Sequence, residues 1–198
     1  MPGQKNIPAG PFEAIVIGAS WGGLEAIIKI VSQLPQLFPL PIIVVMHRQK
    51  NVVSGLCSVV SKNTRLSVKE ITDKEQILPG MVYLVPSNYH VLIEKDKTFS
   101  LDVSEEVRFS RPSIDILFES AALVYKKALI GVLLTGANAD GSEGLAAISE
   151  MGGITIVQDP KEALSKTMPL SAIERVKVDY ILKLEEMREF LITIVLAR

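Results

Sequence analysis

Three residues of this chain, Ser20, His47 and Asp140, have side chains suited together to nucleophilic attack on an acyl carbon. Ser20 lies in Gly18-Ala19-Ser20-Trp21-Gly22-Gly23, after the β-branched run EAIVIG and ahead of a helical pattern. Its G-x-S-x-G spacing suits a strand-to-helix turn whose small neighbours expose the serine hydroxyl. A dinucleotide-type phosphate cradle competes for the same stretch. That cradle needs G-x-G-x-x-G, with a second glycine to let the backbone reach pyrophosphate and an acidic residue about twenty positions on. Position 20 is serine and the next expected strand ends in His47, so the cradle is disfavoured. A glycine-rich turn that merely packs closely is the third reading.

His47 closes the apolar run PIIVVM. A histidine in an apolar stretch is more often a hydrogen-bonded packing residue; at a strand's carboxyl end beside a candidate serine, packing and catalysis weigh about equally. Asp140 lies in Thr135-Gly136-Ala137-Asn138-Ala139-Asp140-Gly141, after the buried run ALIGVLL. An aspartate ahead of a helix is more often an N-cap than a catalyst. Taken together, the three supply a nucleophile, a base to touch it and a carboxylate to orient the base. Their chain order differs from the familiar hydrolase orders, which is immaterial because geometry defines a triad.

Other polar residues are weaker candidates. His90, in VPSNYHVLIE, reads as structural or as a rim residue, and Cys57 as a small buried hydrophobe. Asp102, Glu105 and Glu106 with Arg108 read as solvated loop charge, and Asp159-Pro160 as a turn. Arg111, ahead of Pro112, either lines a cleft or pairs with an acidic neighbour.

Bringing the three residues together requires strands whose ends share one sheet edge. Apolar runs at 13–18, 41–47, 128–136 and 154–158 read as buried strands. Helical periodicity marks 24–34, 52–62, 112–127 and 142–151, and two last helices at 170–176 and 184–197 flank the strand DYILKL. Ser110 is the expected N-cap of the 112–127 helix, with Pro112 in its first turn, and Gly152-Gly153 closes the 142–151 helix. Between 67 and 103 lie four short strands, SVKEI, MVYLVP, YHVLIE and TFSLDV, with Asp96-Lys97 at a hairpin turn between the last two. This alternation predicts an α/β fold: a doubly wound, mostly parallel sheet with helices on both faces and a short antiparallel excursion. Residues 1–11 read as an extended tail and 12–198 as one domain.

Composition removes several classes. With 21 basic against 22 acidic residues, the net charge of −1 offers no footprint for nucleic acid. One Cys cannot form an internal disulfide and suits the reducing cytoplasm; with only two His besides, it makes a structural zinc site untenable. The start, MPGQKNIPAGPFE, lacks the apolar core of a signal peptide, and no apolar run reaches the length of a membrane span. Neither metal nor cofactor is called for.

The segments VIGASWGGLEA, VVMH and LLTGANADGSEG resemble the catalytic domain of the chemoreceptor protein-glutamate methylesterases, the CheB family. LPGMVYLVPSNYHV, RPSIDILFESAA and MPLSAI resemble further segments of that family, so the likeness runs in order from about residue 12 to 176. It implies a mostly parallel α/β sheet and hydrolysis of γ-glutamyl methyl esters on receptor helices, with deamidation of receptor glutamines as a second activity. It also implies Ser20 as nucleophile, His47 as base and Asp140 as its partner, with backbone N–H groups at Trp21 and Ala137 holding the oxyanion. Methylated helices of chemoreceptors would be the partners, reached at the membrane only through the receptor.

The chain departs from the family where Trp21 replaces the usual Thr, where Ala137 and Asn138 replace Met and Gly, and where Thr167 replaces the Gly before Met-Pro. Trp21 and Asn138, with Arg111, are the substrate-cleft candidates. Trp21 reads equally as a stacking surface at the cleft mouth or as filler against the adjacent helix. The family's archetype also carries an N-terminal phospho-receiver domain, whereas this sequence begins almost at the catalytic strand. Activity independent of a phosphodonor is the resulting expectation. A catalytically weak module of the same fold, binding a signalling partner, is the alternative to an esterase.

Overall fold

The computed structural model describes residues 10–47, 55–107 and 110–196. Most of the expected tail, the start of the 52–62 helix, Arg108 and the last two residues lie outside these limits. In chain order the elements are β1 (Ala14–Ala19), α1 (Gly23–Val31), β2 (Ile42–Met46), α2 (Leu56–Lys62), β3 (Ser67–Glu70), β4 (Met81–Leu84), β5 (His90–Ile93) and β6 (Phe99–Asp102). They continue with α3 (Ile114–Tyr125), a 3₁₀ turn (Lys126–Ala128), β7 (Leu129–Leu133), α4 (Ser142–Glu150), β8 (Ile154–Gln158), α5 (Thr167–Arg175), β9 (Tyr180–Leu182) and α6 (Leu184–Leu196).

Seven strands form one parallel sheet in the order β3-β4-β2-β1-β7-β8-β9. Among the named strands the antiparallel excursion is the β5–β6 hairpin, a separate two-stranded sheet turned at Asp96-Lys97. β3 and β4, in the first half of the 67–103 stretch, instead extend the parallel sheet beyond β2.

The continuous apolar runs follow from burial on both faces. In β1, Ile15, Ile17 and Ala19 join a core built with α1, α2 and α6, while Ala14 and Val16 join one built with α3, α4, α5 and the hairpin. A side chain on either face of the strand thus leaves water, at roughly 25 cal/mol per Å² of apolar surface. From β1 the chain steps first to β2 on one side and later returns to β7 on the other, so β1 lies at the topological switch point. In open α/β sheets, ligands bind outside the carboxyl ends of the strands at such a point.

One helix start differs from expectation. The N-cap of α3 is Ser113 rather than Ser110, and Pro112 precedes the helix, joined to Arg111 by a cis bond. The Ser113 hydroxyl does not cap its own helix; a carboxylate from elsewhere in the chain takes that place. Gly152-Gly153 closes α4 as expected, their N–H groups donating to Ser149 and Ile148 carbonyls while Gly152 takes φ 80°.

Candidate active site

Register places the ends of three strands side by side. Ala19, the last residue of β1, pairs with Met46, the last of β2, and Gly18 pairs with Leu133, the last of β7. The next residues therefore emerge together: Ser20 after β1, His47 after β2 and the 134–140 loop after β7. Backbone bonds pin them, with Ser20 N–H donating to the Thr135 carbonyl at 2.9 Å and His47 N–H to the Ala19 carbonyl at 3.1 Å.

The serine turn is tight for identifiable reasons. Gly23 N–H donates to the Ser20 carbonyl at 2.8 Å, and Gly22 takes φ 79°, which a side chain would strain. A Cβ at Gly18 would lie 2.5 Å from Ile114 Cγ2, and one at Gly136 would lie 2.5 Å from Met168 Cε and 3.0 Å from Ser20 Cβ. The Thr135 hydroxyl, 2.9 Å from the Trp21 carbonyl, ties this turn to the β7 loop and accepts Ser165 N–H at 2.9 Å. Trp21 is 68% exposed, which favours a surface at the cleft mouth over gap filling. The Trp21 and Ala137 N–H groups donate to no acceptor among the described residues.

His47 Nε2 lies 2.7 Å from Asp140 Oδ2. The carboxylate can only accept, so Nε2 carries the proton and the lone pair sits on Nδ1. The ring is thus used the opposite way round from a triad in which the carboxylate holds Nδ1 and the serine faces Nε2. Asn138 Nδ2 lies 3.4 Å from His47 Nδ1, at the long limit for a hydrogen bond. Its orientation follows from the other end of the amide, where Oδ1 accepts Asp140 N–H at 3.3 Å. Ser20 Oγ makes no hydrogen bond among the described residues. Catalytic hydrogen bonds often tighten only when substrate is bound.

Asp140 is fully buried, and the N-terminus of α3 compensates it. Ile114 N–H donates to Oδ2 at 2.7 Å, Asp115 N–H to Oδ1 at 3.1 Å and Ser113 Oγ to Oδ1 at 3.0 Å. Burial pushes the carboxyl pKa up, but the bonds from His47, Ile114 and Asp115 outweigh it and hold it below the ordinary aspartate value. The favour is returned across the helix pair. Asp115 Oδ1 accepts Gly141 and Gly144 N–H, each at 2.8 Å, at the start of α4. Each helix start is thus occupied by a carboxylate belonging to the other's segment, where the helix dipole favours negative charge.

The remaining sequence candidates separate clearly. Arg111 pairs with no acid among the described residues; its guanidinium donates to Val103 and Ser104 carbonyls at 2.7 Å and to Asn88 Oδ1, tying two loops together. Those acceptors lie in loops on either side of the hairpin, which local sequence does not reveal. His90 is fully buried and structural rather than at the rim. Sequence reasoning passed over Ser113 and Asp115 as parts of the site. A Ser-x-Asp pair opening a helix was the available signal, but it reads as ordinary capping until the fold brings Asp140 to it. Among the described residues no His, Cys, Asp and Glu cluster could hold a metal, and no helix is long and apolar enough to cross a membrane.

Residues 15–191 match the family described as CheB methylesterase. A Leptospira interrogans protein, provisionally named protein-glutamate methylesterase/protein-glutamine glutaminase, is 51% identical over 91% of this chain and 94% of its own length. The protein-glutamate methylesterase/protein-glutamine glutaminase of Thermotoga maritima is 35% identical over 95% of this chain, but that match spans only 56% of the longer protein. The crystal structure of the Thermotoga maritima CheB methylesterase catalytic domain superposes with a TM-score of 0.89 at 35% identity, covering 93% of this chain and 99% of that one.

Proposed function

Because this chain belongs to the CheB methylesterase family, we propose that it hydrolyses γ-glutamyl methyl esters on chemoreceptor helices, releasing methanol, and deamidates receptor glutamines. The observation that carries the reading is the 2.7 Å His47–Asp140 pair, held beside Ser20 by adjacent parallel strands. In the first half-reaction Ser20 Oγ attacks the ester carbonyl while its proton passes to His47 Nδ1. The carbonyl oxygen becomes an oxyanion facing the Trp21 and Ala137 N–H groups, which bind it more strongly than the ground-state carbonyl. Asp140 stabilises the imidazolium through Nε2–H. His47 then returns the proton to the departing methoxy oxygen as the C–O bond breaks. Water repeats the sequence on the acyl-serine to free glutamate; with a glutamine side chain the leaving group is ammonia. The intact serine, histidine and aspartate favour an enzyme over a silent binding module. Its setting on this reading is the cytoplasm, where receptor methylation helices are reached without membrane insertion. Methanol release from a methylated receptor fragment, together with fluorophosphonate labelling confined to Ser20, tests the proposal. A folded protein that binds receptor yet is neither labelled nor active refutes it.

Trp21 presents an exposed apolar face beside the oxyanion N–H groups, suited to stacking on the glutamyl stem or its helix. Trp21→Thr is expected to raise KM about three- to tenfold with a smaller change in kcat, the range an aromatic contact supplies. Steady-state methanol release measures it, and a thermal melt should be nearly unchanged. An unaltered KM with a large fall in melting temperature would return Trp21 to a packing role.

Asn138 acts on the base itself. Its amide N–H competes with Ser20 for the Nδ1 lone pair, so Asn138→Gly, which also removes the acceptor of Asp140 N–H, is expected to raise kcat about twofold, in keeping with loss of the long bond to Nδ1. A fall in kcat would instead assign the amide to the substrate.

A further inference from the structure

His90 is a fully buried histidine outside the three-residue set, and its two ring nitrogens are both engaged. Ser113 N–H donates to His90 Nδ1 at 3.1 Å, within the buried interior. His90 Nε2, 3.0 Å from the Glu105 carbonyl, must be the donor there, because a carbonyl only accepts. The ring therefore carries its proton on Nε2 and offers a lone pair at Nδ1. Ser113 is the N-cap of α3, and its hydroxyl, with the next two N–H groups, encloses the Asp140 carboxylate. A hydrogen-bonded path thus runs from β5 through His90 and Ser113 to Asp140 and on to His47.

We propose that His90 is a positioning residue for the hydrolysis: its Nδ1 lone pair fixes the Ser113 backbone, and so the α3 N-terminus that aims Asp140 at His47. This rests on the esterase reading above. N-cap backbone is the least constrained part of a helix, since its N–H groups lack intrahelical acceptors. Without an acceptor, Ser113 N–H is buried unpaired and the helix start shifts to relieve it. A displacement of even about 1 Å at a supporting group costs up to 10²-fold in rate. His90 hydrogen-bonds neither Ser20 nor His47; its bonded route to the site runs through Ser113 to Asp140.

Two substitutions separate the ring's two functions. In His90→Asn the amide oxygen stands where Nδ1 was, keeping the acceptor for Ser113 and losing the donor to Glu105. In His90→Gln the amide nitrogen reaches the Nε2 position, keeping that donor and losing the acceptor. The expected result is kcat within about threefold of wild type for His90→Asn and a 10- to 100-fold fall for His90→Gln, with KM unchanged in both. The downfield proton resonance of His47 Nε2–H should persist in His90→Asn and broaden or vanish in His90→Gln. Equal losses in the two variants, or a fully active His90→Gln, would overturn the proposal.

A measurement on the unaltered protein does not depend on either variant folding. Long-range ¹⁵N–¹H imidazole spectra should show His90 protonated at Nε2 and accepting at Nδ1; the opposite tautomer or a doubly protonated ring would also overturn it. Absence of turnover in wild type would refute the esterase reading instead, while leaving both NMR readouts interpretable.

Discussion

Ser20→Ala and His47→Ala are each expected to abolish methanol release almost completely, by roughly 10⁴- to 10⁶-fold in kcat, and the double variant to lose little more than either alone. Non-additivity is the informative part. If His47 acts only by taking the Ser20 proton, nothing remains for it to do once the hydroxyl is gone. Binding and the oxyanion N–H groups of Trp21 and Ala137 survive in every variant, so a residual rate above background should be common to all three. Fluorophosphonate labelling should disappear in Ser20→Ala and fall sharply in His47→Ala. Melting temperatures should move little. Ser20 Oγ has no hydrogen bond to lose among the described residues, and the His47 ring is 13% exposed at the site's mouth. Near-normal turnover in a folded His47→Ala would dismantle the assignment.

Asp140→Asn is expected to harm both activity and stability, which distinguishes this carboxylate from one that serves catalysis alone. Each oxygen accepts from two donors: Oδ2 from His47 and Ile114, Oδ1 from Ser113 and Asp115. Whichever way the amide lies, its NH₂ group opposes donors. If it faces His47, the ring turns or adopts the wrong tautomer, and losses of about 10⁴-fold in kcat follow. If it faces Ser113 and Asp115, a buried N–H at the helix start is left unpaired, at about 1–3 kcal/mol. For a chain of this size that lowers the melting temperature by roughly 2–4 °C per kcal/mol.

Acid should expose the same difference. Since folding depresses the Asp140 pKa, its ionised form stabilises the protein fully above the ordinary aspartate range. That contribution is lost as the pH falls through the lower, folded value, because the unfolded chain takes up the proton first. Wild-type stability should therefore decline below the ordinary carboxylate range more steeply than that of Asp140→Asn. Denaturant midpoints measured across acidic pH report this, and parallel declines would mean that Asp140 is not the group responsible.

How far these sites can be read without coordinates depends on the range of the interaction involved. Continuous apolar runs mark EAIVIG, PIIVVM and ALIGVLL as strands covered on both faces, and the small residues after the first mark a tight turn. Burial and turn chemistry are local, so Ser20, His47 and Asp140 could each be placed at the end of a strand from residue type and spacing alone. The start of α3 could not. Ser110 and Ser113 are both plausible caps by composition; the choice falls to Ser113 because Asp140, 26 residues from Ile114, fills the helix start. The parallel placement of β3 and β4 likewise depends on pairing with β2, not on their own short patterns. Arg111 found its acceptors in loops brought near by the hairpin, and Trp21 proved exposed.

The orientation of the His47 ring is the sharpest case. Composition and motif identify an imidazole and a carboxylate, but not which nitrogen meets which oxygen. That is set by the order β2-β1-β7, the register at Ala19–Met46 and Gly18–Leu133, and an α3 N-terminus that holds Asp140 in place. Pattern along the chain specifies what each segment buries. The directions of side chains 93 residues apart are decided where separate strands and helix starts converge, because only there do their hydrogen bonds compete for the same atoms.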